Sequence, residues 1–464
     1  MTSNSIESQE GGLHRSLSGS QISMIAIGGA IGTGLFLGSG YATNLAGPAV
    51  LLSFAIGAVI SMMLIACLAE MTVLHPMAGS FGVCAEKYIG PWAGFLVRYT
   101  YWAGLVLGIG LEISAVDMFA RYWFVNLQPG IAGAVLGIML IGLNGINVKA
   151  FGSIEYLFSS IKVAAILAFI GIAGYIIFFR DVPGVGFSNY VSDGGFFSKG
   201  IAGVWNATLV AVFSYTSIEM VAIAAGEAKD PHRAIASAFK GTIIRLVLFY
   251  LVSIALMLAI VPWQKAGVDG SPFVKVMEII GIPGTATVLN FILLIAALSA
   301  MNSEIYITSR IMFSLSRSGY APKKFSVVNE RGVPVLSLIV SSVGAIIGIA
   351  TTALWPEHAF IWMMALVMFA FMFVWSMIFI THIFFRKEIA RKGIKLPFKV
   401  KGYPYFNLLG LGLMLALMIS TAFFKDFEPT LTYGVPFIAF LSLVYFFKYR
   451  KKAASTNGVV ESSL

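Results

Sequence analysis

Three groups of residues have types and spacings suited to handling charge inside an apolar environment. The first is IGGAIGTGLFLGSG, residues 27 to 40, whose six glycines sit in the first apolar stretch of the chain. Glycine weakens a helix more than any residue but proline. A stretch long enough to cross a bilayer is therefore open to interruption at Gly32, Thr33 and Gly34, or uses its glycines for close helix packing. The second group lies in AVFSYTSIEMVAIAAGEAKDP, where Ser214, Thr216 and Ser217 flank Tyr215 just after Phe213. Small hydroxyl side chains can bond backbone groups freed by a helix break. The third group is the ionisable residues inside apolar runs: Glu112, Lys162 and Glu304, with Glu70, Asp117 and Glu219. Each costs ~2.5–3.5 kcal/mol on insertion scales, which makes it a functional candidate.

These charges admit different chemistries. Lys149 stands thirteen residues before Lys162, about 20 Å along a helix, so Lys162 lies too deep to snorkel to an interface. Glu304 has three readings: it pairs with a cationic substrate tail, it stays protonated and relays a proton, or it pairs with Arg98 or Arg121. Glu112 and Asp117 are five residues apart and face different ways, while Asp117 is four residues from Arg121. Glu70 and Glu219 read best as hydrogen-bonding struts for helix ends. Trp102 and Tyr101 suit a pocket or gate, although aromatic residues also anchor helices at membrane interfaces.

No catalytic constellation accompanies these residues. There is no phosphate-binding Gly-Lys-Ser/Thr loop, no Gly-x-Ser-x-Gly and no His-Glu-x-x-His. Cys67 and Cys84 are isolated, and His75 and His382 lack metal-ligand spacing, so neither a metal nor a cofactor is expected. The chain reads as a non-enzyme.

The elements that must position these residues follow from composition. Of 464 residues, 58% are hydrophobic and only 11% charged, and the mean hydropathy is +0.88. Too little charge exists to cover a soluble surface, so most of the chain faces lipid. Twelve runs reach the ~20 apolar residues a span requires. They centre near Ala30, Ile60, Leu107, Met139, Ile166, Val212, Leu251, Leu294, Ala345, Phe369, Leu415 and Phe440.

With the N-terminus inside, 23 of the 31 Lys and Arg residues fall in cytoplasmic loops and tails and five fall outside. Both termini are thus expected in the cytoplasm. The net charge of +10 reflects topology and anionic lipid, not nucleic acid. The tail 1–19 lacks a cationic start and a cleavage site, and is not expected to be a removed signal peptide.

Two connectors echo each other. AGSFGVCAEKYIGPWAG follows span 2 and DGSPFVKVMEIIGIPGT follows span 7. Each runs Gly-Ser, Phe, an acidic residue five positions on, then Ile-Gly and a Pro. Five spans separate them, an odd number, which predicts opposite faces of the membrane and an inverted repeat. The expected organisation is a cytoplasmic tail 1–19, a first repeat 20–180 (spans 1–5), a second repeat 200–386 (spans 6–10), appended spans 11 and 12 over 405–448, and a cytoplasmic tail 449–464. Glycine alone does not decide the matter, because Gly-x-x-x-Gly surfaces also serve close helix packing.

IGGAIGTGLFLGSG resembles the first-helix motif of the amino acid-polyamine-organocation (APC) superfamily, in its bacterial amino acid permease branch. HPMAGSFGVCAEKYIGPWAGFL, IKVAAILAFI, AAGEAKDPHRAI, NSEIYITSRIMFSLSRSGYAPK and LPFKVKGYPYFNLLGL resemble the same branch, in the same order. The resemblance implies an all-α polytopic protein with the LeuT-type 5+5 inverted repeat and two additional helices, and a midplane site for a free amino acid. Carried over, the motif makes Gly32, Thr33 and Gly34 the donors for the substrate carboxylate. Such donors suit an anion at a helix start. It makes Ile27, Ala30, Phe213, Ser214 and Thr216 the carbonyl acceptors for the ammonium. Tyr215, Ser217, Trp102 and Glu304 complete the expected pocket, and Lys162, Glu304 and Glu112 are the expected coupling residues. In sodium-coupled relatives a cation bridges spans 1, 5 and 8, and Lys162 would supply a fixed charge there.

The implied activity is uptake of an amino acid across the plasma membrane with a proton, by alternating access. Obligate exchange is the alternative. A non-transporting sensor is disfavoured by the short tails, and a channel by a site suited to a ligand carrying both charges. The span 6 break commonly carries Gly two residues before its acidic residue, where this chain has Ser217 before Glu219. Which amino acid is selected and the oligomeric state are not legible.

Overall fold

The computed structural model describes Met24 and residues 31–75, 79–146, 148–224, 248–267, 270–396 and 399–450. Ile27 and Ala30 lie outside the described residues, as do the tail 1–19, residues 451–464 and most of AAGEAKDPHRAI. Among the described residues there is no strand.

Eleven of the twelve expected centres fall in helices; the twelfth, Ala30, is outside the described residues. Span 1 runs from a π-helical turn, Gly34–Gly38, into Ser39–Ala46, and span 2 is Val50–Leu74. Span 3 is Pro91–Arg121, span 4 Ile131–Asn144 and span 5 Val148–Phe179. Span 6 is divided into Gly200–Ser214 and Met220–Ala224, and span 7 is Leu248–Ile260. Span 8 is Thr285–Arg317, and span 9 is Val335–Ser341 continued by Val343–Leu354. Spans 10, 11 and 12 are Ala359–Arg391, Tyr405–Ser420 and Glu428–Val444.

The echoing connectors fold alike. Each forms a nine-residue helix, Ser80–Tyr88 and Pro272–Ile280, ending just before an Ile-Gly or at one. Gly90 and Gly281 both hold positive φ, at 143° and 72°, a conformation that L side chains rarely adopt. The two helices sit at opposite ends of span 3. Ser80–Tyr88 reaches Arg98, near the Pro91 end, through the Glu86–Arg98 ion pair. Lys275 and Glu278 share a cavity with Arg121 at the other end. Opposite placement is what an odd number of intervening spans requires.

Span 3 is the axis of the bundle: 83% of its most apolar window is buried, against 22% for span 12. Spans 11 and 12 are therefore peripheral. Small residues let span 9 close on span 3: a Cβ at Gly344 would lie 1.8 Å from the Val106 carbonyl, and one at Gly348 2.4 Å from Gly110 Cα. Such backbone approach is available only to glycine.

Candidate functional site

The interruption of span 6 is present where the sequence placed it; in span 1 the residues before Ile31 lie outside the described ones. Ile31 and Gly32 are bent, and the described helix of span 1 begins at Thr33, with the Gly32 carbonyl accepting from the Leu35 amide at 3.2 Å. In span 6 the helix stops at Ser214 and turns through residues 215–219 before Met220. Ser217 occupies left-handed backbone, φ 72°. The departure from the family glycine is thus one of residue type alone: serine holds the conformation glycine would adopt freely, at a cost of about 1–2 kcal/mol.

The two breaks meet. Ser214 Oγ donates to the Gly34 carbonyl at 2.8 Å, with the Val210 carbonyl as a second acceptor at 2.9 Å. Tyr250 Oη donates to the Ser214 carbonyl at 2.7 Å. Thr216 Oγ1 donates to the Phe213 carbonyl at 2.7 Å. The hydroxyl cluster thus satisfies backbone acceptors that the break releases, as its composition suggested.

A cavity of about 30 Å³ lies at the junction. Gly32, Thr33, Gly34, Phe213, Ser214, Thr216, Ser217, Glu112 and Glu304 line it, so nine expected residues converge. Thr33 Oγ1 donates to Glu112 Oε1 at 2.8 Å. Leu111, Ala300, Val367 and Phe371 complete the wall; they carry no polar signal that sequence reading could use. A larger cavity, about 620 Å³, lies at the Arg121 end. The Pro91 end is closed by the Glu86–Arg98 pair, by Tyr320 Oη donating to Glu86 Oε1 at 2.7 Å, and by Arg98 donating to Ser318 Oγ at 2.7 Å.

Several expected residues stand elsewhere. Trp102 is not in the cavity wall; its ring N–H donates to Ser341 Oγ at 2.9 Å, tying span 3 to span 9. Tyr215 turns away from the cavity and stacks on Tyr250, ring centroids 4.7 Å apart. Asp117 does not ion-pair with Arg121; Oδ1 accepts the Gly130 amide at 2.9 Å and so caps the start of span 4. The proposed Glu304 pairing with Arg98 is excluded because Arg98 is engaged by Glu86, and Arg121 is exposed at the far end of span 3.

Gly32 and Gly34 also differ from each other in role. A Cβ at Gly34 would lie 2.7 Å from Ser214 Cα, whereas one at Gly32 would meet Ala300 Cβ at an ordinary 3.5 Å. Gly34 permits two backbones to touch, so the packing reading holds there; Gly32 keeps the cavity open.

Glu219 and Glu70 are struts. Glu219 accepts from Tyr101 Oη at 2.7 Å and Trp375 Nε1 at 3.0 Å, joining spans 6, 3 and 10. Glu70 pairs with Arg386 at 2.6 Å and accepts the Val400 amide at 2.7 Å.

Lys162 is fully buried outside the cavity wall. Its Nζ donates to Ser299 Oγ at 2.8 Å, and Ser299 Oγ donates to Glu155 Oε1 at 2.6 Å. Ser159 also donates to Glu155, and Asn302 Nδ2 donates to its other oxygen at 3.1 Å. Glu155, 0% exposed, was missed. Its signal was available: Glu155, Ser159 and Lys162 recur at i, i+4 and i+7, one face of a helix.

The Amino acid permease family model matches residues 21–453. An amino acid permease of Bacillus subtilis, YtnA, is 32% identical, covering 97% of this chain and 99% of its own length. The γ-aminobutyric acid permease of the same organism is 34% identical, covering 96% of each. The aromatic amino acid transport protein AroP of Salmonella typhimurium is 38% identical, covering 89% of this chain and 91% of its own. The ordered motifs, the divided span 6 and these full-length matches agree: the chain belongs to the amino acid permease family of the APC superfamily.

Proposed function

We propose that this multi-pass amino acid transporter of LeuT-type fold, not an enzyme, takes up an amino acid across the plasma membrane together with a proton, by alternating access, both termini being cytoplasmic. The reading rests on one observation: the break of span 6 meets the start of the described helix of span 1 at a small cavity lined by polar groups.

An α-amino acid carries both charges on one carbon, and both must be held without bulk water. The start of span 1 at Gly32, Thr33 and Gly34 supplies amide donors and a positive helix end to the carboxylate. At the end of the first half of span 6 the Phe213 carbonyl already accepts from the Thr216 amide and hydroxyl, so the ammonium takes the second lone pair of the Ser214 carbonyl, beside Tyr250 Oη, and the Thr216 carbonyl. The relatives named for γ-aminobutyric acid and for aromatic amino acids both take ligands with an amine and a carboxylate, on one carbon in the aromatic amino acids and at opposite ends of the chain in γ-aminobutyric acid.

Lys162 supports proton rather than sodium coupling. A fixed ammonium bonded to Ser299 of span 8 supplies positive charge between spans 5 and 8. The basic-residue distribution puts the closed Pro91 end in the cytoplasm and the 620 Å³ cavity outside. The cavity at the breaks, at about 30 Å³, has room for about one water, so substrate requires the spans to separate. The test is uptake of labelled amino acids into proteoliposomes in sodium-free buffer. An imposed acid-outside gradient should accelerate uptake; dependence on sodium at constant pH would contradict the coupling.

A further inference from the structure

The cavity wall holds more negative charge than a simple α-amino acid needs. Gly108 and Glu112 are four residues apart on one face of span 3, a rise of about 6 Å. Glu304, from span 8, lays its carboxylate against Gly108: a Cβ there would meet Oε1 at 2.5 Å and Cδ at 2.9 Å. Glycine at 108 thus makes the space that the Glu304 carboxylate occupies. Both carboxylates thus line the same cavity, Glu112 bonded to Thr33 and Glu304 lying against Gly108.

Both are nearly buried, at 4% and 6% exposure. Glu112 uses Oε1 on Thr33, but Glu112 Oε2 and Glu304 Oε2 have no hydrogen-bond partner among the described residues. A buried carboxylate oxygen without a donor is costly, and two carboxylates this close favour a positive group beside them.

Of the cationic groups around them, the charge of Lys162 acts on Glu112, and among the described residues none is paired with Glu304. Lys162 of span 5 is joined through Ser299 to Glu155. Arg98 of span 3 is held by Glu86, and the Arg310 guanidinium lies over the Tyr306 ring on span 8. Glu219 of span 6 is occupied by Tyr101 and Trp375. Spans 1 and 10 contribute Thr33, Val367 and Phe371 to this wall, none of them cationic.

We propose that Glu304 is a specificity-determining residue, and that the substrate is an amino acid whose side chain ends in a cationic nitrogen, as in lysine or ornithine. The inference rests on the transport reading above. The α-carboxylate stays at Gly32–Gly34, and the side-chain nitrogen runs toward Gly108 to reach Glu304.

The experiment is equilibrium competition against a labelled amino acid on the purified full-length protein, comparing lysine with norleucine, which has the same shape without the charge. In the wild type lysine should compete about tenfold better or more, the worth of a charge-assisted hydrogen bond. Glu304→Gln should bring the ratio near unity while norleucine changes less than about threefold, and Glu304→Asp should retain part of the preference. An unchanged ratio in Glu304→Gln, or norleucine equal to lysine in the wild type, would overturn the inference while leaving amino acid transport standing. A change confined to pH dependence, with no change in the ratio, would assign the carboxylates to a shared proton and overturn it as well. Failure of every amino acid to compete would instead reject the transport reading itself.

Discussion

The Ser214 hydroxyl of span 6 donates to the Gly34 carbonyl of span 1 at 2.8 Å, tying the break of one span to the first turn of the other. With Tyr250 holding the Ser214 carbonyl, this contact fixes the relative position of the two sets of backbone ends. Ser214→Ala should lower stability by about 1 kcal/mol, the net worth of one hydrogen bond, and weaken substrate binding because the ends are no longer aligned. Thermal unfolding and ligand competition on the purified variant read both effects.

Gly32 and Gly34 separate packing from binding. Gly34→Ala places a methyl against Ser214 Cα and should impair folding, visible as reduced monodisperse protein on size exclusion. Gly32→Ala meets only ordinary contacts, so the protein should fold normally. It should nevertheless lose most transport, since the methyl group enters the cavity. Normal uptake by Gly32→Ala would remove the backbone at 32 from the site.

Ser217 sits at φ 72°, where glycine is unstrained. Ser217→Gly should preserve folding and transport, its relief of about 1 kcal/mol opposed by added unfolded-state entropy. Ser217→Val, with a β-branched side chain in the same conformation, should be markedly destabilised. Equal melting temperatures for the two variants would contradict the turn geometry.

Glu155 accepts from Ser159, Ser299 and Asn302, and through Ser299 it reaches Lys162. Glu155→Leu leaves those donors unpaired and the lysine charge less compensated, with an expected loss of about 3–5 kcal/mol. Glu155→Gln keeps the shape and should fold better than Leu. Chemical denaturation or heating of the purified variants in one detergent would rank them.

His75, just past the end of span 2, supplies a pH dependence. Lys87 Nζ lies 3.3 Å from His75 Nε2; an ammonium only donates, so the ring accepts there and is neutral. Burial, reinforced by the Lys87 charge, pushes its pKa down to about 4 from the usual 6.5. Below 6.5 the unfolded chain takes up a proton that the folded protein does not. Stability should therefore fall as pH drops from 6.5 to about 4, and be unaffected by this group above 6.5. His75→Asn should flatten that part of the melting-temperature profile.

Much of this architecture was legible because its determinants are local. Hydropathy located the spans, and the Gly-Ser-Phe echo marked the nine-residue helices at opposite ends of span 3. The hydroxyls at 214–217 marked the break. What escaped was decided by tertiary contact. Trp102 looked like a pocket aromatic until Ser341 on span 9 claimed its N–H, and Tyr215 faces Tyr250 rather than the cavity. Asp117 had an apparent partner at helical spacing, yet the Gly130 amide, thirteen residues on, takes it. Glu155 could have been read from its two-turn spacing to Lys162, but its acceptor role depends on Ser299 and Asn302 of a distant span.

The central claim, that interrupted backbone ends hold both charged groups of the substrate, is tested most directly by derivatives lacking one charge. Competition binding on the wild-type protein should compare a transported amino acid with its carboxamide and its N-acetyl form. The account predicts that the free amino acid displaces label and that each derivative competes at least about a hundredfold less well, as expected when buried polar groups lose their partners. Equal displacement by all three compounds would contradict it.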